Sequence, residues 1–466
     1  MLLSRFFRTS QRRIMQPTAL FLVASALAAI PPMAAAKPAL NCHVGSYRLA
    51  DGGLVDIAPS DGDTLRWRRF DGTTGQLRRQ SKGKWLSTEG WTNRNDGKLV
   101  SFSGCKMGRI DFNGITGREI AFDITNMTFQ SHDTPLAGRL VLPKGTAKVP
   151  VVILVHGSEQ DSALVYYDLQ RMLPAEGIGV FVYDKRGTGL SGGTYTQDFS
   201  LLADDAVAAM REAQRLAGER MGRIGYQAGS EGGWVAPIAA NRAPVDFVIV
   251  CFGLAVNVID EDQEGVELQM REKGYSAKVI SQAKEVARAA ETVIASGFTR
   301  GFTQFAAVRK RYEKQPWYKD VRGDYTWLLL PYSTVQLRAM APKYRWNTPF
   351  YYNPMPTLRA DKVSQLWILG GEDYEAPSAV TSKRIKSLIA EGKPFTLAFY
   401  PHAEHGMTLF DKTPDGQRTS TRYAPGYFAM MRDFILYGRL VGPYGDSILT
   451  LKRGSTERDD IPAKGH

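Results

Sequence analysis

The middle of the chain alternates short apolar runs with amphipathic stretches. "VPVVILVHG" (149–157), "IGVFVYD", "GRIGYQAGS" and "VDFVIVCFG" are compact, largely apolar segments that predict buried strands. Between them come a helical stretch around 163–176, the amphipathic "SLLADDAVAAMREAQRLAG" and the small-residue segment "EGGWVAPIAANRA". Continuous apolar strands alternating with helices predict a mostly parallel sheet with helices on both faces. After Gly253 the alternation stops for about a hundred residues. It resumes with "SQLWILGG", a helix near 379–390, "FTLAFYP" and a last helix near 427–440. The interruption has a helical period of its own: Ser276 as N-cap, then Val279, Ile280, Ala283, Val286, Ala287, Ala290 and Val293. Aromatics crowd the rest of it, from Trp317 to Tyr352. An inserted helical lid accounts for both features, and its rings either line a roomy apolar pocket or pack a core.

The first part of the chain has another rhythm. From about Asn41 to Met127, short mixed segments such as "GSYRLADGGLVDIAPSDGDTLRWRRFDGTTG" are punctuated by D-G and G-G turns, which predicts a small antiparallel β domain. Ahead of it, Arg5, Arg8, Arg12 and Arg13 are followed by an apolar run from Ala19 to Ile30 and by Ala34-Ala35-Ala36. That is the layout of a secretory signal peptide, and the run is shorter than the ~20 residues of a spanning helix. Cleavage after Ala36 is the expectation, with an uncleaved anchor as the alternative; the export route, general or twin-arginine, stays open. The expected organisation is therefore a leader at 1–36, a β-rich domain at 37–127, a first core part at 128–254, a helical cap at 255–360, a second core part at 361–445 and a tail at 446–466.

Composition changes this picture little. A hydrophobic share of 43% and a charged share of 23% are ordinary for a globular protein. Losing the leader's four arginines takes the formal net charge from +12 to +8. With no basic run or arginine-aromatic stripe, no nucleic-acid partner is expected. No stable membrane insertion is expected after leader cleavage, the protein is expected in the periplasm or outside the cell, and oligomeric state is not readable. Cys42 and Cys105 bracket the β domain; they are either a disulfide in an oxidising compartment or two unpaired small residues. Cys251, inside an apolar strand, reads as an inert buried thiol.

The chemistry centres on "GRIGYQAGSEGGWVAP". Ser230 falls where a strand ends and a helix begins, as in the G-x-S-x-G elbow that lifts a hydroxyl out of a sheet. Ala228 replaces the first glycine, the smallest departure that position allows. A serine hydroxyl needs a base, and in this architecture the order runs serine, acid, histidine. His402, His405 and His466 follow Ser230. His466 ends the chain and His402 sits near a strand end, so His405 in "YPHAEHGM" is the base. The acid comes from "LWILGGEDYEAP", with Asp373 ahead of Glu372, against the alternative that these carboxylates only cap the next helix. Backbone N–H groups of Ser158, in "ILVHGSEQDS", and Glu231 are the expected oxyanion donors. His156 is then structural.

These motifs resemble the α/β-hydrolase family over about 134–440. More narrowly, "PLAGRLVLP", "VHGS", "YDKRGTGLSGG", "GSEGGW", "YYNPMPTL", "LWILGGED" and "YPHAEHGM" are similar to secreted bacterial serine esterases related to dienelactone hydrolases and to the bile-acid acyltransferase/acyl-CoA thioesterase group. The resemblance implies Ser230 as nucleophile, Asp373 as acid and His405 as base, and makes Arg186 part of a structural turn. Asn353 stands where the family has an aspartate.

The expected fold is thus an α/β-hydrolase with a helical cap and an N-terminal antiparallel β domain. The expected activity is hydrolysis of carboxylic esters through an acyl-enzyme, on a small ester or acyl substrate and without cofactor or metal. A peptidase or amidase with the same triad is the nearest alternative, and a catalytically silent binding protein is another. A metal enzyme built on His402, Glu404 and His405 lacks a third well-placed ligand beyond its H-x-x-H spacing.

Overall fold

A computed structural model describes residues 42–81, 83–105, 107–414 and 416–452. The expected leader and His466 lie outside the described residues. Gly45–Leu49, Leu54–Pro59, Leu65–Arg68, Thr74–Ser81, Lys84–Glu89, Asn95–Phe102, Arg109–Phe112 and Ile115–Glu119 (β1–β8) form an antiparallel meander. β8 pairs back onto β1, so the expected β domain is a closed barrel and its strands have no free edge. Its interior is filled by side chains, with Trp67, Trp85, Tyr47 and Phe112 among them. Cys42 and Cys105 are joined by a disulfide.

The second sheet has nine strands in the order β19-β16-β15-β14-β13-β11-β12-β10-β9. They are Phe122–Ser131 (β9), Thr134–Pro143 (β10), Val149–Val155 (β11), Gly179–Tyr183 (β12), Met221–Gly229 (β13), Phe247–Cys251 (β14), Ser364–Gly370 (β15), Phe395–Tyr400 (β16) and Ile448–Thr450 (β19). β11 to β16 are parallel; β9, β10 and β19 run antiparallel to their neighbours. Alternate residues of one strand serve opposite cores. Val151, Ile153 and Val155 pack under the helices Phe199–Ala217 (α1) and Gly232–Arg242 (α2), while Val152 and Leu154 face the helix Tyr427–Tyr437. That is why these strands read as unbroken apolar runs. α1 begins where Asp198 accepts from the Ser200 and Leu201 amides, an N-cap that fixes its entry.

Between β14 and β15 come the helices Val258–Glu272 (α3), Ala277–Ala295 (α4) and Phe302–Tyr312 (α5), followed by shorter turns. Ser276 caps α4 as expected, its hydroxyl accepting from the Val279 amide. Phe302, Phe305, Tyr312 and Trp317 are buried in a core belonging to this insert, so these aromatics are packing residues. β9 begins at Phe122, ahead of the boundary expected at 128, because its first half is an edge strand with mostly exposed or half-buried side chains and a weak apolar period. The stretch expected as one helix at 163–176 is three pieces, since Tyr167 is extended and the Gln170 side chain donates to the Ala163 and Tyr167 carbonyls across the break. Part of the expected tail forms β19. A hairpin, Thr408–Lys412 (β17) and Arg418–Tyr423 (β18), separates the last parallel strand from the last helix.

Candidate active site

β13 lies next to β11 while β12 lies on the other side of β11, so the chain reverses its winding between β11 and β13. Loops leaving such a switch point open a crevice at the carboxyl ends of the strands. Val155 pairs with Ala228, which brings the loop after β11 beside the elbow after β13.

Ser230 occupies that elbow with φ of +53°, a left-handed conformation that costs a non-glycine residue roughly 1–2 kcal/mol. Two backbone bonds hold it: Ser230 N–H donates to the Cys251 carbonyl at 3.1 Å, and Gly233 N–H donates to Ser230 O at 2.8 Å. α2 starts two residues later and points its N-terminus at the turn. A Cβ on Gly232 would lie 3.1 Å from the Ala228 Cβ and 2.7 Å from the His156 carbonyl. A methyl at 228 therefore fits only because position 232 has none.

The loop after β11 closes on the same point. A Cβ on Gly157 would stand 3.4 Å from the Ser230 Cβ. Among the described residues, neither Ser158 N–H nor Glu231 N–H donates to any acceptor. His156 is buried, its Nε2 2.8 Å from the Tyr183 carbonyl. Arg186 makes a buried two-pronged pair with Asp205, as befits a structural turn.

Asp373 follows β15. Its Oδ1 accepts from the Glu375 and Ala376 amides at 3.0 and 2.8 Å, so it does cap the next turn. It also meets His405: Nδ1 lies 3.1 and 3.0 Å from the two carboxylate oxygens. With Nδ1–H donating there, the neutral imidazole keeps Nε2 as its free acceptor. Burial pushes the imidazolium down, but the charges of Asp373 and Glu375 outweigh it and raise His405 from 6.5 to about 9. Glu375 Oε2 stands 3.8 Å from Nε2. Among the described residues no hydrogen bond joins His405 to Ser230. The Phe252 ring packs edge-on against His405, with ring centroids 4.8 Å apart, and fills the space a Cβ on Gly229 would need. Phe252 itself has a positive φ, a constrained residue directly after β14 that the sequence reading passed over.

Carboxylates crowd this mouth. Burial, and then the charges of Asp324, Asp262, Asp373 and Glu375, hold Glu261 of α3 well above the usual carboxylate range. Asp324, from the insert, is held up by burial and by Glu375 and Asp262. Asp262 has its own partners, the Tyr325 and Thr326 amides and the Thr326 hydroxyl. Residues scattered over 261–324 and 375 have no spacing that shows them converging, and for that reason the sequence reading missed the cluster.

The rejected candidates sit elsewhere. His402 is 73% exposed with Glu372 3.8 Å away. Glu372 turns from the imidazole toward Arg418, which donates to its carbonyl at 2.5 Å and lies 3.2 Å from its carboxylate. Asn353 Oδ1 accepts from the amide of Met355, the first residue of the short helix Met355–Ala360, at 3.1 Å. No group of three or more His, Cys, Asp or Glu among the described residues is arranged to hold a metal, and no described helix is long and apolar enough to cross a membrane.

A family model described as serine aminopeptidase, S33, matches residues 146–413, more than half of the chain. Among solved structures, the acylaminoacyl peptidase of Pyrococcus horikoshii is similar at 15% identity and a TM-score of 0.42, over 84% of this chain and 57% of that one. This chain thus spans less than two thirds of that peptidase. An esterase of Pyrococcus furiosus is similar at 18% identity and a TM-score of 0.40, over 61% of this chain and 84% of that one. A proline iminopeptidase of Mycobacterium smegmatis is similar at 18% and 0.37, over 60% and 91%. No curated protein matches the chain.

Proposed function

Because this chain belongs to the serine aminopeptidase S33 family of α/β-hydrolases, we propose that it cleaves an acyl bond through an acyl-enzyme on Ser230. The observations that carry the reading are the Asp373–His405 pair and a serine held at positive φ on the elbow after β13. Neutral His405 takes the Ser230 proton at Nε2 while Oγ attacks the substrate carbonyl. The oxyanion rests on the Ser158 and Glu231 amides. His405 then protonates the leaving group, deprotonates a water and lets it release the acid.

The buried carboxylates Glu261 and Asp324 favour an acyl group that carries a protonated amine, as an aminoacyl group does. A cation entering beside Glu261 and Asp324 would restore the charged form that their burial resists. This favours aminoacyl amides or esters over the plain carboxylic esters expected from the narrower esterase resemblance. The second reading, uncharged esters, has its own support: Glu261 and Asp324 are held toward the neutral acid when nothing is bound. Turnover of aminoacyl nitroanilides against nitrophenyl esters of several chain lengths separates the two. Aminoacyl substrates should be turned over with a free amine and lost on N-acetylation; turnover of simple esters alone would establish the second reading. A fluorophosphonate probe should label the wild type and not Ser230→Ala, and an unlabelled wild type would overturn the acyl-enzyme. Export to an oxidising compartment is part of the proposal, supported by the leader-like first residues and the Cys42–Cys105 bond.

A further inference from the structure

Lys185 is an ammonium with 2% of its surface exposed, placed between the loops that flank Ser230. A buried ammonium is retained only where its partners offset the loss of water. Its Nζ donates to the Gly157 carbonyl at 3.1 Å and to the Glu231 carboxylate, and stands 4.8 Å over the Tyr195 ring. The neighbouring cation, Arg186, is committed to Asp205 and takes no share of these bonds.

Both contacts concern the expected oxyanion donors. The Gly157 carbonyl and the Ser158 N–H belong to one planar trans peptide, in which they point in opposite directions. Holding the carbonyl toward Lys185 therefore turns the N–H the other way. Tyr195 Oη donates to the Ser158 carbonyl at 2.6 Å and fixes the following peptide as well. On the other side, Glu231 supplies the second amide, and its carboxylate, only 4% exposed, is anchored by the same ammonium. Unpartnered N–H groups on two separate loops have no hydrogen bond of their own to keep them aimed. Lys185 supplies one from behind.

We infer that Lys185 is the positioning residue of the oxyanion hole, one ammonium that sets the direction of the Ser158 N–H and the placement of the Glu231 N–H. The inference rests on the acyl-enzyme reading of Ser230.

The test compares the wild type with Lys185→Met and with the double variant Lys185→Met/Glu231→Gln, which leaves no unpaired buried charge and so protects the fold. Thermal melting first identifies the folded variants. A misplacement of about 1 Å at such a site costs about 100-fold in rate, so kcat should fall by about that factor with KM within about threefold. Affinity for a trifluoromethyl ketone, which forms a tetrahedral oxyanion on the serine, should fall in parallel, while affinity for the product acid should not. A merely structural lysine would lower the melting temperature and leave kcat and ketone affinity of the folded double variant unchanged; that result overturns the inference. Failure of the wild type to react with fluorophosphonate would instead remove the acyl-enzyme reading and this inference with it.

Discussion

At the scale of single residues, the proposed base His405 must be neutral when it accepts a proton, although its surroundings favour the imidazolium. Burial alone would depress the imidazolium; two carboxylates reverse that and bring it to about 9. The group is raised, so the neutral form that the proposed mechanism needs appears only as pH climbs through that value. We therefore expect kcat/KM to rise with pH with a midpoint nearer 9 than 6.5. Glu375→Gln removes one of the two charges favouring the imidazolium, so the midpoint should move to lower pH. A profile of kcat/KM against pH for both proteins checks this, and a midpoint that stays or rises overturns the role of Glu375. The elbow at Ser230 and the candidates Asp373 and His405, which the structure pairs, were legible from chain order and strand ends. Phe252 and Lys185 were not, because an aromatic after a strand or a lysine in a turn has no local mark of what it touches.

At the scale of elements, the hairpin β17–β18 ties three bodies together immediately after His405. Trp91 N–H donates to Ser420 O, and Tyr423 N–H to Gly72 O, each at 2.9 Å, which joins the hairpin to the barrel. A Cβ on Gly90 would fall 2.3 Å from the Thr421 carbonyl, so this seam requires glycine there. On its other side Arg418, 8% exposed, stacks between Tyr374 and Phe410 and lies 3.1 Å from Glu272 of α3. One guanidinium thus links the acid loop, the histidine hairpin and the insert. Arg418→Met should lower kcat/KM about tenfold and stability by roughly 1–3 kcal/mol, with Arg418→Lys recovering part of the activity. Steady-state kinetics and urea unfolding measure both; unchanged kinetics in a folded variant would reduce Arg418 to packing. The hairpin escaped the sequence reading although "TPDG" is a turn signal, since strands as polar as "RTSTRY" have no apolar alternation to announce them.

At the scale of the whole molecule, the barrel and the large sheet are welded by buried charge. Arg171, from the broken helix at 169–172, donates to both oxygens of fully buried Asp56 at 2.7 and 3.0 Å, and the Ser46 hydroxyl donates to the Arg171 carbonyl at 3.0 Å. Burial holds the Asp56 carboxyl above its usual range, and Arg171 is the largest influence opposing it. Arg171→Met should cost about 3–5 kcal/mol by taking from that buried carboxylate its two closest donors, and adding Asp56→Asn should recover most of it; denaturant unfolding of the three proteins decides. The sequence by itself determined the sheet, its helices, the elbow and the order of its three candidate side chains, because these follow from short-range period and from where strands end. Only the tertiary structure decided that the β domain closes into a barrel, that Glu261, Asp324 and Glu375 share one mouth, and that Lys185 stands behind the elbow. Those depend on which distant segments touch, and neither charge nor hydropathy along a chain encodes a contact between residues that far apart.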